Sequence, residues 1–295
     1  MKMMKKALLI MLLIVLATHV FAQRSSRKMR TFNKPSKQAD IFLQKQWWLG
    51  FKAGPNLSSA VPENKYHIIS PTNYDASAIS KQYKNFRSLG NQATFEVTFY
   101  FRGVTISFQP TYRTNLFTYT NRYVWADAES PDNHLELNYE QEQKVAYLDW
   151  PLIAKYEFQA GKIIPYAQLG VSSSMLLDAS KSVLVSGIDF ASGGVNKFNN
   201  EPIIIGATDL FARYHWGIVA GGGVYYPMGN VRLNLDITYR VGMSNIASTA
   251  NRYGSDRLSG VGDSLDDMKL NHIALSVGCL FPLRFLGSGF KSMAD

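Results

Sequence analysis

Four stretches of this chain keep a strict alternation in which one parity carries no charge. They are Phe95, Val97, Phe99 and Phe101; Val104, Ile106, Phe108 and Tyr112; Val231, Leu233, Leu235, Ile237 and Tyr239; and Ile273, Leu275, Val277, Cys279, Phe281, Leu283 and Phe285. The opposite parity carries Glu96, Arg102, Gln109, Arg113, Arg232, Asn234, Asp236, Arg240, His272 and Arg284. A period of two belongs to the β-strand, whose side chains leave on alternate faces. The same alternation extends to eight segments: Trp47 to Leu57, Gln92 to Arg102, Val104 to Thr118, Val145 to Phe158, Ile163 to Leu177, Leu210 to Tyr226, Val231 to Ile246 and Lys269 to Phe285. With 17 Phe, 16 Tyr and 22 Gly, and no long amphipathic helical pattern, the chain reads as all-β.

The connections alternate in length. Those at Gly103, "QAGK" (159–162) and "PMGN" (227–230) are tight, whereas the others are polar and run to roughly 20 to 35 residues. One rim with short turns and one with long loops is the layout of an antiparallel up-and-down transmembrane β-barrel, with short periplasmic turns and long extracellular loops. The mature chain has no apolar run long enough for a membrane helix, and in lipid only a closed barrel satisfies every backbone group. Eight strands make a barrel whose interior is filled by side chains.

Parity alone fits a water-soluble barrel equally well, with the apolar face turned inward. Aromatic residues near the strand ends favour the membrane: Trp47, Phe101, Tyr112, Trp150, Phe158, Trp216, Tyr226, Tyr239 and Phe285 are placed as an interfacial girdle requires. In "YLDWPLIAKYEF" (147–158), Trp150, Leu152, Tyr156 and Phe158 are then expected to face lipid, and Asp149, Lys155 and Glu157 the lumen. Pro151 lacks a ladder donor, which predicts a bulge or local irregularity there. Residues 178–209 leave open an extra hairpin above the membrane or a ten-stranded barrel.

The opening residues, with Lys2, Lys5 and Lys6 before an apolar run from Ala7 to Ala17, predict a signal peptide (1–22) cut after Ala22. Of the formal charge of +9, the three signal lysines account for +3 and residues 23–46, with seven Lys or Arg against Asp40, for +6. The remainder, 47–295, is balanced. The basicity therefore belongs to a periplasmic arm suited to anionic lipid or an acidic envelope protein. Nucleic acid is not an expected partner of an exported chain.

"LGFKAGPNLS", with Gly50, Lys52, Gly54 and Asn56, resembles the opening strand of the PorT-like outer-membrane β-barrel family of Bacteroidetes (outer membrane protein beta-barrel domain). "YLDWPLIAKYEF" is similar to its central strand through Leu148, Pro151, Leu152, Lys155 and Tyr156. Pro165, Tyr166 and Gly170 follow, then Gly217, Gly221, Gly223, Tyr239, Gly242 and Asn245, and a last strand ending in Phe285. The similarity spans about residues 47–285 and implies an outer-membrane barrel, localised there by export, with a tail at 286–295. The arm at 23–46 lies outside that pattern. The family's namesake takes part in type IX secretion, which implies a structural, assembly or secretion-associated role with envelope or secretion-complex partners.

For chemistry, the polar parity offers Lys52, Glu96, Arg102, Arg113, Asp149, Lys155, Glu157, Arg213, Arg232, Asp236, Arg240 and Arg284, expected to form a lumenal network of ion pairs and hydrogen bonds. A narrow pore or a small-solute site is the alternative use of the same residues. A surface hydrolase using His215 or His272 with Asp149 or Asp209 is the remaining alternative, but no nucleophile has a recognisable setting and neither HExxH nor GxSxG occurs. The expectation is a protein that is not an enzyme and has no metal site and no cofactor. Acidic stretches in two loops lack calcium-loop spacing. The glycines of "AGGGVYYP" (220–227) are expected to permit curvature or close packing of a bulky interior neighbour. Cys279 has no partner for an internal disulfide.

Overall fold

A computed structural model describes residues 45–66, 81–127, 129–130, 132–158, 161–228, 231–252 and 264–283. The signal segment, most of the basic arm, Arg284, Phe285 and the tail lie outside the described residues. Among the described residues there are twelve strands: β1 (Lys45–Asn64), β2 (Gln82–Lys84), β3 (Leu89–Phe101), β4 (Val104–Phe108), β5 (Thr111–Ala126), β6 (His134–Glu157), β7 (Ile164–Asp189), β8 (Asn196–Asn199), β9 (Ile203–Gly206), β10 (Tyr214–Met228), β11 (Val231–Gly242) and β12 (Asp267–Pro282). β4 and β5 are one ascending strand, because Phe108↔Leu152 and Thr111↔Asp149 hold the same register on β6. Counting them together, eight antiparallel strands pair in sequence order, and β1 closes the ring by pairing with both β3 and β12. β2, β8 and β9 sit outside the ring as additions to β5 and β7. Residues 178–209 therefore add strands above the membrane and leave the barrel at eight.

Exposure decides which face meets lipid. Phe51, Leu169 and Val277 are 62%, 62% and 61% exposed, while Asp149 is 0% exposed. A soluble barrel would have the reverse, so the outside is apolar and the charges are inside. Arg102 and Gly103 form the two-residue turn between β3 and β4, both at positive φ (47° and 89°), which matches the twist of the flanking strands.

The strands on one side outrun the membrane. β6 has 24 residues and β7 has 26, against the roughly 9 to 11 that cross a bilayer. Their upper halves form a wall with β5, whose outward positions on β6 are Lys144, Glu142, Glu140, Asn138 and Glu136, a set that lipid would not accept. The register shift between β6 and β7 falls at Ala146/Tyr147, beside Leu177, just above the outward apolar run.

Pro151 itself stays in register, contrary to the expected bulge. Gln109 N–H donates to the Pro151 carbonyl at 3.1 Å, but Pro151 has no N–H to return the bond. The Thr111 hydroxyl donates to the Gln109 carbonyl at 2.8 Å in its place. The disturbance appears across the ladder, where Gln109 and Pro110 interrupt the strand between β4 and β5. Replacing Thr111 with Val is expected to lower stability to urea in detergent by about 1 kcal/mol. In a Pro151→Ala background, where a backbone donor returns, the same change should cost less, the remainder being the buried bond with the Thr94 hydroxyl at 2.9 Å, and a double-mutant cycle measures the difference.

Candidate functional site

The lumen is filled in four layers. At the periplasmic mouth Trp48, Tyr166, Tyr225 and Leu280 pack together, and the Arg232 guanidinium lies 4.3 Å from the centre of the Trp48 ring while bonding Glu157 at 3.3 Å. Tyr166 and Tyr225 stack at 4.4 Å. The stack needs Gly223: a Cβ there would lie 2.6 Å from the Tyr166 hydroxyl oxygen and 2.5 Å from the Leu235 carbonyl.

Above it lies a balanced set of charges. Lys52 Nζ meets Asp236 Oδ2 at 2.7 Å and Lys155 Nζ meets Glu96 Oε1 at 2.6 Å. Lys155 also donates to the Tyr225 hydroxyl at 3.0 Å, and the Tyr166 hydroxyl donates to Asp236 at 3.2 Å. Thr98 and Ser107 add hydroxyl donors to Glu96. With Glu157 and Arg232 included, three cations meet three anions.

The next cluster is not balanced. Arg113 grips Asp149 with two parallel bonds, Nε to Oδ2 at 2.7 Å and Nη2 to Oδ1 at 3.1 Å, and Arg240 Nη1 reaches Oδ2 at 2.5 Å. Arg113 Nη1 lies 3.0 Å from His272 Nδ1; a guanidinium only donates, so Nδ1 accepts. His215 packs edge-on against Tyr147 at 4.4 Å. Both carboxylate oxygens of Asp149 are therefore committed to arginine. A His–Asp couple of the kind hydrolysis needs is not assembled here, and Asp209 is exposed on the loop surface.

The fourth layer departs from the polar lumen expected from the alternation. Phe117, Val145, Leu176, Met268 and Leu270 face inward at the extracellular mouth, and Leu210, Phe211, Ile246, Ala247 and Leu265 fold in from two loops. These loops are tied together by a bridge between Phe211 and Ala247, with Ala212 N–H to the Ile246 carbonyl and Ser248 N–H to the Leu210 carbonyl, both 2.8 Å. The result is an apolar cork. At its rim Lys81 and Asp266, both buried, pair at 2.9 Å, and Tyr83 donates to the same carboxylate at 2.7 Å.

Of the twelve expected lumenal charges, nine are placed in these two clusters. Arg102 is exposed in its turn, because the chain has already reversed there and parity no longer assigns a face. Arg213 is exposed just before β10, where its carbonyl accepts from Leu176 N–H. Arg284 lies outside the described residues. Among the family-motif positions, Gly50, Gly54, Asn56, Lys155, Gly170, Gly221 and Gly223 have their inward parity, Tyr156 and Tyr239 face lipid, and Asn245 Nδ2 bonds Asp267 at 2.7 Å beside the cork. Among the described residues no group of three or more His, Cys, Asp or Glu could hold a metal ion.

A closed eight-stranded ring with an apolar exterior and a charged, sealed interior defines an outer-membrane β-barrel. The chain belongs to the family of the outer membrane protein beta-barrel domain, whose model matches residues 21–248, beginning ahead of β1 and ending before β12. Among solved structures the chain is similar to Neisserial surface protein A (12% identity, 80% of this chain and 96% of the other, TM-score 0.29). It is also similar to OprG of Pseudomonas aeruginosa (14%, 81% and 97%, TM-score 0.33). The attachment invasion locus protein Ail of Yersinia pestis is a third (11%, 80% and 99%, TM-score 0.26). No curated protein sequence matches it.

Proposed function

We propose that this barrel is a non-catalytic docking and assembly component of the outer membrane, reached through a signal peptide cleaved after Ala22. In this reading its partners are envelope proteins, in the manner its PorT-like motifs suggest for a secretion complex, and the basic arm at 23–46 contacts them from the periplasm. The observation that carries the reading is the lumen: among the described residues an aromatic plug, two ion-pair clusters and an apolar cork stand in series along the barrel axis. A pore needs a continuous hydrated route, and each layer opposes one. Among the described residues, the tall wall of β5, β6 and β7 is accessible to partners.

Purified protein in planar bilayers should give conductance equal to that of the empty membrane. Discrete channel openings that disappear when Arg240 or Lys155 is altered would replace this reading with the narrow-pore alternative. Deleting residues 23–44, the arm up to the first residue of β1, should leave the barrel folded and remove periplasmic partners from tagged preparations.

A further inference from the structure

We propose that the outer edge of β9 is a docking strand that takes an extended segment of a partner protein, apolar at alternate positions and basic at its ends. The inference rests on the docking reading above and names the surface and the chemistry. β9 has the sequence Ile-Ile-Ile-Gly and, among the described residues, pairs only with β7. Ala207 N–H donates to the Ala179 carbonyl in the same register, so the N–H and C=O groups of Ile203 and Ile205 turn toward β7. Those of Ile204 and Gly206 turn away, toward the open side. An edge of this kind is a template for another strand, and proteins ordinarily blunt it with lysine, a bulge or a cover. Within its four residues β9 has no charge at all.

The side chains repeat the message. The outward rung Thr118, Glu142, Ser182 and Ile204 is polar on three strands and ends on an isoleucine that is 71% exposed. Leu177 and Tyr214, also exposed, continue the apolar flank down toward the membrane. The exposed charges that flank β9 along its own edge are acidic, Glu201 before it, Asp209 after it and Asp178 at its foot, while the exposed cations stand further off, Lys144 two strands away on β6 and Arg213 toward the girdle. A second copy would bring the same acids against themselves in antiparallel pairing. A strand with basic ends meets them with opposite charge, main-chain bonds supplying the pairing and alternate apolar residues the fit.

The test uses the full-length barrel in detergent micelles and a short fluorescent peptide of alternating Val and Thr with Lys at both ends. It should bind, and a Glu-ended counterpart should bind roughly tenfold or more weakly. N-methylation along the pairing edge should cause a similar loss. Ile204→Lys should weaken binding by a comparable factor, while Asn138→Lys, on the same face but away from the edge, should not; heat-modifiable migration on gels verifies that both variants fold. Equal binding of Lys-ended and Glu-ended peptides, tolerance of N-methylation, or no binding would overturn the inference. So would a dimer in sedimentation that Ile204→Lys dissolves, since the occupant would then be a second copy. Silent bilayers with no peptide binding end this inference alone, whereas channel activity ends the docking reading on which it stands.

Discussion

Asp149→Asn should lower the stability of the folded barrel by about 3 to 5 kcal/mol, the usual consequence of removing one partner from a buried ion pair. Asp149 is the one carboxylate between Arg113 and Arg240, all three are buried, and both of its oxygens are occupied. The amide keeps the shape but leaves two guanidinium groups without a counter-charge in the same enclosed layer. His272 offers no relief, because its Nδ1 already accepts from Arg113. Urea unfolding in detergent, followed by heat-modifiable gel migration, measures the loss. The triple replacement Arg113→Met, Asp149→Leu, Arg240→Met should recover most of it, since exchanging a whole buried ionic set for apolar residues is often neutral or better. A triple variant as unstable as Asp149→Asn would show that the layer is needed for packing and not for charge.

Gly54→Val should prevent closure of the ring or weaken it by about 3 kcal/mol or more, beyond an ordinary overpacked core. A Cβ at Gly54 would stand 1.8 Å from the Leu275 carbonyl oxygen, a backbone atom of the neighbouring strand that cannot swing aside as a side chain does. β1 and β12 meet here, and their pairing runs through Ala53↔Val277 and Asn56↔Ala274 on either side. The expected observation is a barrel that no longer migrates as a compact species before boiling. Gly161→Ala is the control: its φ of +90° carries strain, but no atom lies within 4 Å, so the effect should be small by comparison.

The wall of the barrel could be read from the alternation because lipid imposes it. Each outward position between the girdles must be apolar, so Val231, Leu233, Leu235 and Ile237 state their face without reference to any neighbour. The same logic failed at the ends. Arg102 continues the count of β3 by number but sits in a turn with positive φ, and β6 and β7 rise past the point where the outward residues stop being apolar. Which charges meet was not legible either. Asp149 joins Arg113 from β5 and Arg240 from β11, separated from it by 36 and 91 residues, and only the tilt and stagger of a closed ring bring them to one height. The cork was hidden for a different reason: Phe117 and Val145 hold the lumenal parity while being apolar, and Leu210, Phe211 and Ile246, which the alternation counts into strands, lie in loops before β10 and after β11. The hydroxyl of Thr111 serving Gln109 has no signature beyond a threonine two residues along.

The cork also sets an order of events. Ile246 N–H bonds the Met268 carbonyl, and Met268 lies on β12, the strand that seals the ring against β1. The Phe211–Ala247 bridge stands beside the β10–β11 hairpin, and the bond from Ile246 adds β12, so the finished cork needs all three strands in place. The outer lid thus completes after the last strand docks, and until then water has access to Arg113, Asp149 and Arg240 from above. The interior ions can enter the membrane hydrated, find their partners, and lose their water last.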